Sequence, residues 1–112
     1  MIGPTMFLCV VANIHDGDNI RCRGGPSMRL AGIDAPDFMS SPKCKPPRPG
    51  AVCNDRLATA SRDNLRRLVS RGEVSCRAIG IDRYQRPLVN CSVAGKDLGE
   101  AQMAAGMARP YR

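Results

Sequence analysis

The sequence predicts a mainly β fold with helices, α+β in class, built from five short strands and two helices. Three observations carry that expectation. Apolar residues run or alternate at strand spacing near residues 5–12, 19–23, 27–33, 73–79 and 86–95. A helical period begins only after residue 51 and returns near residue 98. Turn-forming Gly, Pro and Asp separate these segments. The order is three strands, a long loop, a helix, two strands and a helix.

Each element has its own warrant. Thr5 to Ala12, "TMFLCVVA", is an apolar run of strand length, and "NIRCR" sets Ile20 and Cys22 on one face. Between them Asp16-Gly17 marks a sharp turn or bulge. Gly24, Gly25 and Pro26 turn the chain back into "SMRLAGI", where Met28, Leu30 and Gly32 oppose Arg29 and Ala31. Tight connections of this kind favour an antiparallel meander. Residues 35–50 hold Pro36, Pro42, Pro46, Pro47 and Pro49 with little periodicity, and read as a long surface loop.

From Ala51 to Val69 the positions Leu57, Ala58, Ser61, Leu65, Leu68 and Val69 line a helix face, and Gly72 stops the helix. Arg56, Arg62, Arg66 and Arg67 take much of the remainder, a solvated face first and a non-specific nucleic-acid contact second. "EVSCRAI" sets Val74, Cys76 and Ala78 on one side, "GIDRYQR" is a polar connection, and "RPLVNCSVAG" is the fifth strand. Leu98 to Met107 forms the second helix, with Asp97 as cap and Glu100 as its reciprocal partner. Five strands with a helix after the third suggest a closed or partly closed five-stranded barrel of the oligonucleotide-binding type (OB-fold) with two packed helices. An open antiparallel sheet with helices on one face is the alternative. At 112 residues the chain has room for one domain, residues 1–112.

Composition narrows the partners. Seventeen Lys and Arg against ten Asp and Glu leave a formal charge of +7, which favours polyanions such as nucleic acid or an anionic membrane surface. The preference for Arg leans toward phosphate, because its planar fork can hold two oxygens. Six cysteines, at positions 9, 22, 44, 53, 76 and 91, show neither a CxxC pair nor a zinc-finger spacing, which argues against structural zinc. One expectation is a local disulfide between Cys44 and Cys53 beside the proline-rich loop. Cys9, Cys22, Cys76 and Cys91 fall in strand-like segments, where buried free thiols are expected. No window reaches the roughly 18 apolar residues of a transmembrane segment, and "MIGPTMFLCVVA" lacks the charged start and cleavage site of a secretory signal.

The stretch "HDGDNIRCRGGPSMRLAGIDAPDF" gathers four carboxylates. If the second and third strands pair around Gly24 to Pro26, Asp18 and Asp34 return to one end of the hairpin. Like charges there repel unless a cation or an arginine sits among them, and a hard cation with oxygen ligands, Ca²⁺ or Mg²⁺, would serve. Each residue also has a plainer role: Asp16 as turn former, Asp18 as a strand-start hydrogen bonder, Asp34 and Asp37 as loop caps. Phosphodiester hydrolysis needs a carboxylate for water, a cation for the phosphoryl group and donors for its oxygens. Arg29 and Arg86 would be those donors if their elements converge, and Asp37 would reach a water if the loop folds back.

Four fragments in this order, "DGDNI", "RLAGIDAPD", "DRYQRPL" and "GEAQMAAGMARPY", resemble the successive signatures of the staphylococcal nuclease-like (thermonuclease) family, from about Phe7 to Tyr111. The resemblance implies an oligonucleotide-binding barrel and a calcium-dependent nuclease that cuts DNA or RNA with low sequence specificity. It puts the metal on Asp18 and Asp34, with Asp16 shaping the loop beside them, and the phosphate on Arg29 and Arg86. The family's general-base glutamate falls on Asp37, and its aromatic on Tyr84. Asn19 stands for the usual threonine, Ala35 for another, and Gln85 for a glycine. Ca²⁺ is expected in preference to Mg²⁺, in a secreted or periplasmic monomer. The changes at Asp37, Asn19 and Gln85 sustain an alternative, a weak or inactive nucleic-acid- or protein-binding module.

Overall fold

The computed structural model describes residues 5–111. The first apolar run is bent at Val10 into β1 (Met6–Cys9) and β2 (Val11–Asn13). Then come β3 (Asn19–Cys22), β4 (Ser27–Leu30), β5 (Ile33–Asp34), α1 (Asp55–Val69), β6 (Val74–Ile81), β7 (Pro87–Val93), β8 (Lys96–Asp97), α2 (Leu98–Ala104) and β9 (Arg109–Pro110). The main sheet runs β1-β6-β7-β4-β3-β2, with β8 paired to β7. Its pairings are antiparallel except β4 with β7, which sets Arg29 beside Leu88. Because the chain bends at Val10, β1 lies on β6 while β2 lies on β3. The mixed sheet therefore curls into an open half-barrel with two helices packed on it.

The β3–β4 hairpin turns where the Gly24 to Pro26 segment predicts, pairing Ile20 with Met28 and Asn19 with Arg29. Ile20, Leu30, Ile33, Leu65, Val89 and Leu98 fill the core and are almost fully buried. Such a side chain contributes about 1.5–3 kcal/mol relative to an exposed one. β5 and β9 form a separate two-stranded sheet that places Asp34 opposite Arg109.

Several expectations are corrected. Helix α1 begins at Asp55, not Ala51, because the Asn54 side chain accepts from Leu57 N–H and residues 52–54 pair with Asp37 instead. Its buried side is Ala58, Ser61 and Leu65; Leu57 is exposed. Ser70, whose N–H and hydroxyl both bond the Arg67 carbonyl, closes the helix before Gly72 is reached. Helix α2 stops at Ala104, since Gly106 takes a positive φ. Ala78 is exposed, as β6 and β7 shift register between Ala78 and Gly80.

The cysteines are the largest correction. None is free: Cys44–Cys53 is the disulfide expected beside the loop, but Cys9–Cys22 and Cys76–Cys91 are disulfides as well. Register explains the strand pairs that were expected as thiols. Cys76 faces Cys91 across β6–β7, and Cys9 precedes the bend that lays Val11 against Cys22. Strand periodicity puts each cysteine inside but is blind to its partner.

Candidate functional site

The acidic turn before β3 is clamped from below. A Cβ on Gly17 would stand 1.7 Å from the Ser61 hydroxyl, so only glycine lets the turn press onto α1. Gln102 of α2, fully buried, donates to the Gly17 carbonyl at 2.9 Å and to the Ser61 carbonyl at 3.0 Å, and accepts from Asn64 at 2.7 Å. Both helices thus fix the turn that carries Asp16 and Asp18.

Asp18 is buried and fully engaged. Its main-chain carbonyl accepts from Leu30 N–H, and its carboxylate accepts from Ala35 N–H at 2.9 Å and pairs with Arg29 at 3.2 Å. Asp16 accepts from Asp18 N–H at 3.3 Å. Burial first, then the charge and hydrogen-bonded carboxylate of Asp18, push the Asp16 pKa up to about 8. Asn19 uses its side-chain oxygen to accept from the Ser27 hydroxyl across the hairpin.

Arg29 is a buried cation between two carboxylates. One arm reaches Asp18; the other donates to Ile33 O at 2.9 Å and lies 3.6 Å from Asp34. Burial works against its charge, but Asp18 and Asp34 outweigh it and hold the guanidinium protonated. Asp34 also pairs with Arg109 at 3.1 Å, and Arg109 donates in addition to the Gly50 carbonyl. The hairpin therefore does bring Asp18 and Asp34 to one end, and the positive group between them here is an arginine. Among the described residues no three His, Cys, Asp or Glu are arranged to hold a metal ion.

Asp37 sits where the proline-rich loop leaves and returns. Its N–H donates to Val52 O at 2.7 Å, and its carbonyl accepts from Asn54 N–H at 3.0 Å. Met39 N–H donates to Asp55, and Cys44–Cys53 crosslinks the loop's middle to its return. The buried Asp37 carboxyl is raised above the ordinary aspartate range by desolvation, against Lys43, and further by the charges of Asp18 and Asp34.

The "DRYQR" turn is organised by Asp82. One oxygen accepts from the N–H groups of Tyr84 and Arg86, each at 2.8 Å; the other pairs with Arg86 Nε at 2.7 Å. Desolvation opposes this, yet the Arg86 and Tyr84 donors hold the Asp82 carboxyl below its usual range. Gln85 takes φ 66°, the left-handed conformation that glycine adopts freely. Exposed Tyr84 lies 5.5 Å from the Arg83 and Arg86 guanidinium carbons and 5.8 Å from that of Arg48, which also donates to its hydroxyl. Chiefly through that last bond, the phenol pKa is lowered.

Two adjoining clefts gather these groups. A cleft of about 390 Å³ is bordered by Arg29, Asp34, Arg86, Tyr84 and Tyr111. A second, of about 560 Å³, is bordered by Asp16, Asp18, Asp37, Tyr84 and Arg86, with His15 and Phe38 beyond them. Lys43 of the loop borders both. Donors for an anion and carboxylates for a water thus meet in one groove. Four contributors escaped sequence reading: Asp82, Gln102 and the loop's Lys43 and Arg48. The only signal for Asp82 was an Asx-turn residue four before an arginine. The arginine stripe of α1 is partly committed, Arg62 to Asp63 and Arg66 to the Ile14 carbonyl.

A family model described as "Staphylococcal nuclease homologue" matches residues 27–112, and the chain belongs to that family. The matched span holds Arg29, Asp34, Asp37, Tyr84 and Arg86; Asp16, Asp18 and Asn19 lie before it. No curated protein matches the chain significantly.

Proposed function

We propose, starting from membership of this family, that the chain is a calcium-dependent phosphodiesterase cleaving DNA or RNA with little sequence preference. The observation that carries the reading is the shared groove: Arg29 and Arg86 border one cleft with Asp34, and Asp37 borders the adjoining one that Arg86 also faces. Arg86, preset by Asp82, donates to oxygens on which negative charge grows during attack on phosphorus. Arg29 contributes a second fixed positive charge below them. Asp37, whose surroundings favour taking up a proton, orients and deprotonates the attacking water. Being a methylene shorter than glutamate, it holds that water nearer the backbone.

The carboxylates of Asp16, Asp18 and Asp37 border one cleft, and carboxylate oxygens suit Ca²⁺ better than a softer metal. Asp18 and Asp34 would hold the ion, with Asp16 supporting. Bound there, it would polarise the phosphoryl group and neutralise its charge. Two further features belong to the reading. Counting β1 and β2 as one bent strand, the sheet order supports a five-stranded oligonucleotide-binding barrel, in one domain acting as a monomer. Pairing of all six cysteines supports an oxidising setting, secreted or periplasmic.

The second reading is a binding module without catalysis. It is favoured by the engagement of Asp18 and Asp34 with Arg29 and Arg109, and by aspartate at position 37. Incubation of the disulfide-intact protein with DNA and with RNA, in Ca²⁺ or in chelator, separates the two. Cleavage that needs Ca²⁺ is expected. A folded protein that binds nucleic acid but cuts under no divalent cation would establish the second reading instead.

A further inference from the structure

Aromatic side chains are scarce in this chain, two Tyr and two Phe without Trp, and their placement is uneven. Only Phe7 packs against the core; Tyr84, Tyr111 and Phe38 border the clefts, as does the single histidine, His15. A core of aliphatic side chains beside a groove of aromatic ones is hard to account for by stability. Base stacking supplies a reason, because every nucleobase offers a π face whatever its sequence.

We infer that His15 and Phe38 form a nucleobase station in the half of the groove that Tyr111 does not border, opposite the aromatic pair Tyr84 and Tyr111 at the other end, so that the site takes an extended single strand. The inference rests on the nuclease reading and deepens it. The two rings lie 6.2 Å apart at 51°, His15 exposed and Phe38 half-buried. Arg62 of α1 holds its guanidinium 5.5 Å over Phe38, adding a cation and a second flat surface. Both aromatic positions are fixed by the groove's own frame. Phe38 follows Asp37, whose backbone pairs with residues 52 and 54, and the next N–H, of Met39, is bonded to Asp55. His15 precedes the turn clamped by Gly17 and Gln102. Between this end and Tyr84 the groove carries Asp16, Asp18 and Asp37. A strand stacked at both ends would lay a phosphodiester over those carboxylates, whereas a dinucleotide would fill one station only.

The test is binding without turnover, using fluorescein-labelled di-, tetra- and octathymidylates in chelator, repeated in Ca²⁺ with phosphorothioate linkages. Wild-type affinity should rise steeply with length. The pair His15→Ala with Phe38→Leu, which keeps apolar bulk at 38, should weaken octamer binding roughly 5- to 100-fold and leave the dimer nearly unchanged. The exposed His15→Ala alone, which disturbs no core contact, should give part of that loss. Equal octamer affinity in wild type and both variants overturns the station while leaving the nuclease reading intact. Wild-type protein that binds no oligonucleotide of any length overturns both.

Discussion

The groove has two walls built on different principles. One is sheet: Asp18, Arg29 and Asp34 are locked by hairpin pairing, backbone donors and a buried ion pair. The other is the proline-rich loop of residues 38–53, which holds its place by backbone pairing at its ends, the Cys44–Cys53 crosslink and the Arg48 contact with Tyr84. The first wall gets its shape from burial and charge compensation, so changes there act on folding. The second gets it from a covalent tie and a few polar contacts, so changes there act on the groove's geometry with less effect on the core.

Breaking the sheet wall has the largest expected consequence. Arg29→Leu keeps apolar bulk but leaves Asp18 and Asp34 facing one another beside Asp16. Loss of one partner from a buried pair costs about 3–5 kcal/mol, to be read by urea denaturation. Added Ca²⁺ should recover part of that stability if the carboxylates take the ion, and none if they do not. On the loop side, replacing Cys44 and Cys53 with Ser frees a crosslink spanning nine residues. The chain-entropy relation puts the loss at about 2.5 kcal/mol, with affinity for oligonucleotides falling in step because Lys43 and Arg48 are no longer held.

A subtler contrast lies in pH. In metal-free protein Asp16 binds its proton more tightly when folded than when unfolded. That contribution is complete below about pH 4, the unfolded range, and is lost as pH climbs through about 8; Asp37 shifts the same way. Asp16→Asn, which imitates the protonated form, should leave stability near pH 4 unchanged and raise it near pH 8 by on the order of 1–2 kcal/mol. The smallest effect is expected at Gln85. Its left-handed backbone costs roughly 1 kcal/mol that glycine would not pay, offset by glycine's greater freedom when unfolded. Gln85→Gly should raise the melting temperature by at most a few degrees.

The sheet wall was legible in the sequence, whereas of the loop wall only the loop and its Cys44–Cys53 tie were, for a physical reason. Period-two spacing of the apolar residues Ile20 and Cys22, Met28 and Leu30, with the Gly-Gly-Pro turn, sets the hairpin's register, and register carries Asp18 and Asp34 to one end. Nothing periodic marks Asp37's pairing with Val52 and Asn54 or the reach of Arg48 to Tyr84, which follow from how a crosslinked loop folds over its neighbours. The partners of the strand cysteines were hidden likewise, since Cys76 meets Cys91 only once the β6–β7 register exists. Whether Arg29 or a cation sat between the two aspartates was open in the sequence. Arg29 lies between them because β4 is buried on both sides, which turns a strand-face arginine inward.

The claim that the groove hydrolyses phosphodiesters rests most heavily on Arg86 acting in the transition state. The direct measurement is single-turnover cleavage of a defined oligonucleotide in Ca²⁺ by wild type and Arg86→Ala, beside binding of the same oligonucleotide in chelator. The predicted result is a cleavage rate reduced about 100-fold or more with affinity changed only several-fold. Equal losses in rate and affinity, or cleavage untouched by the substitution, would contradict it.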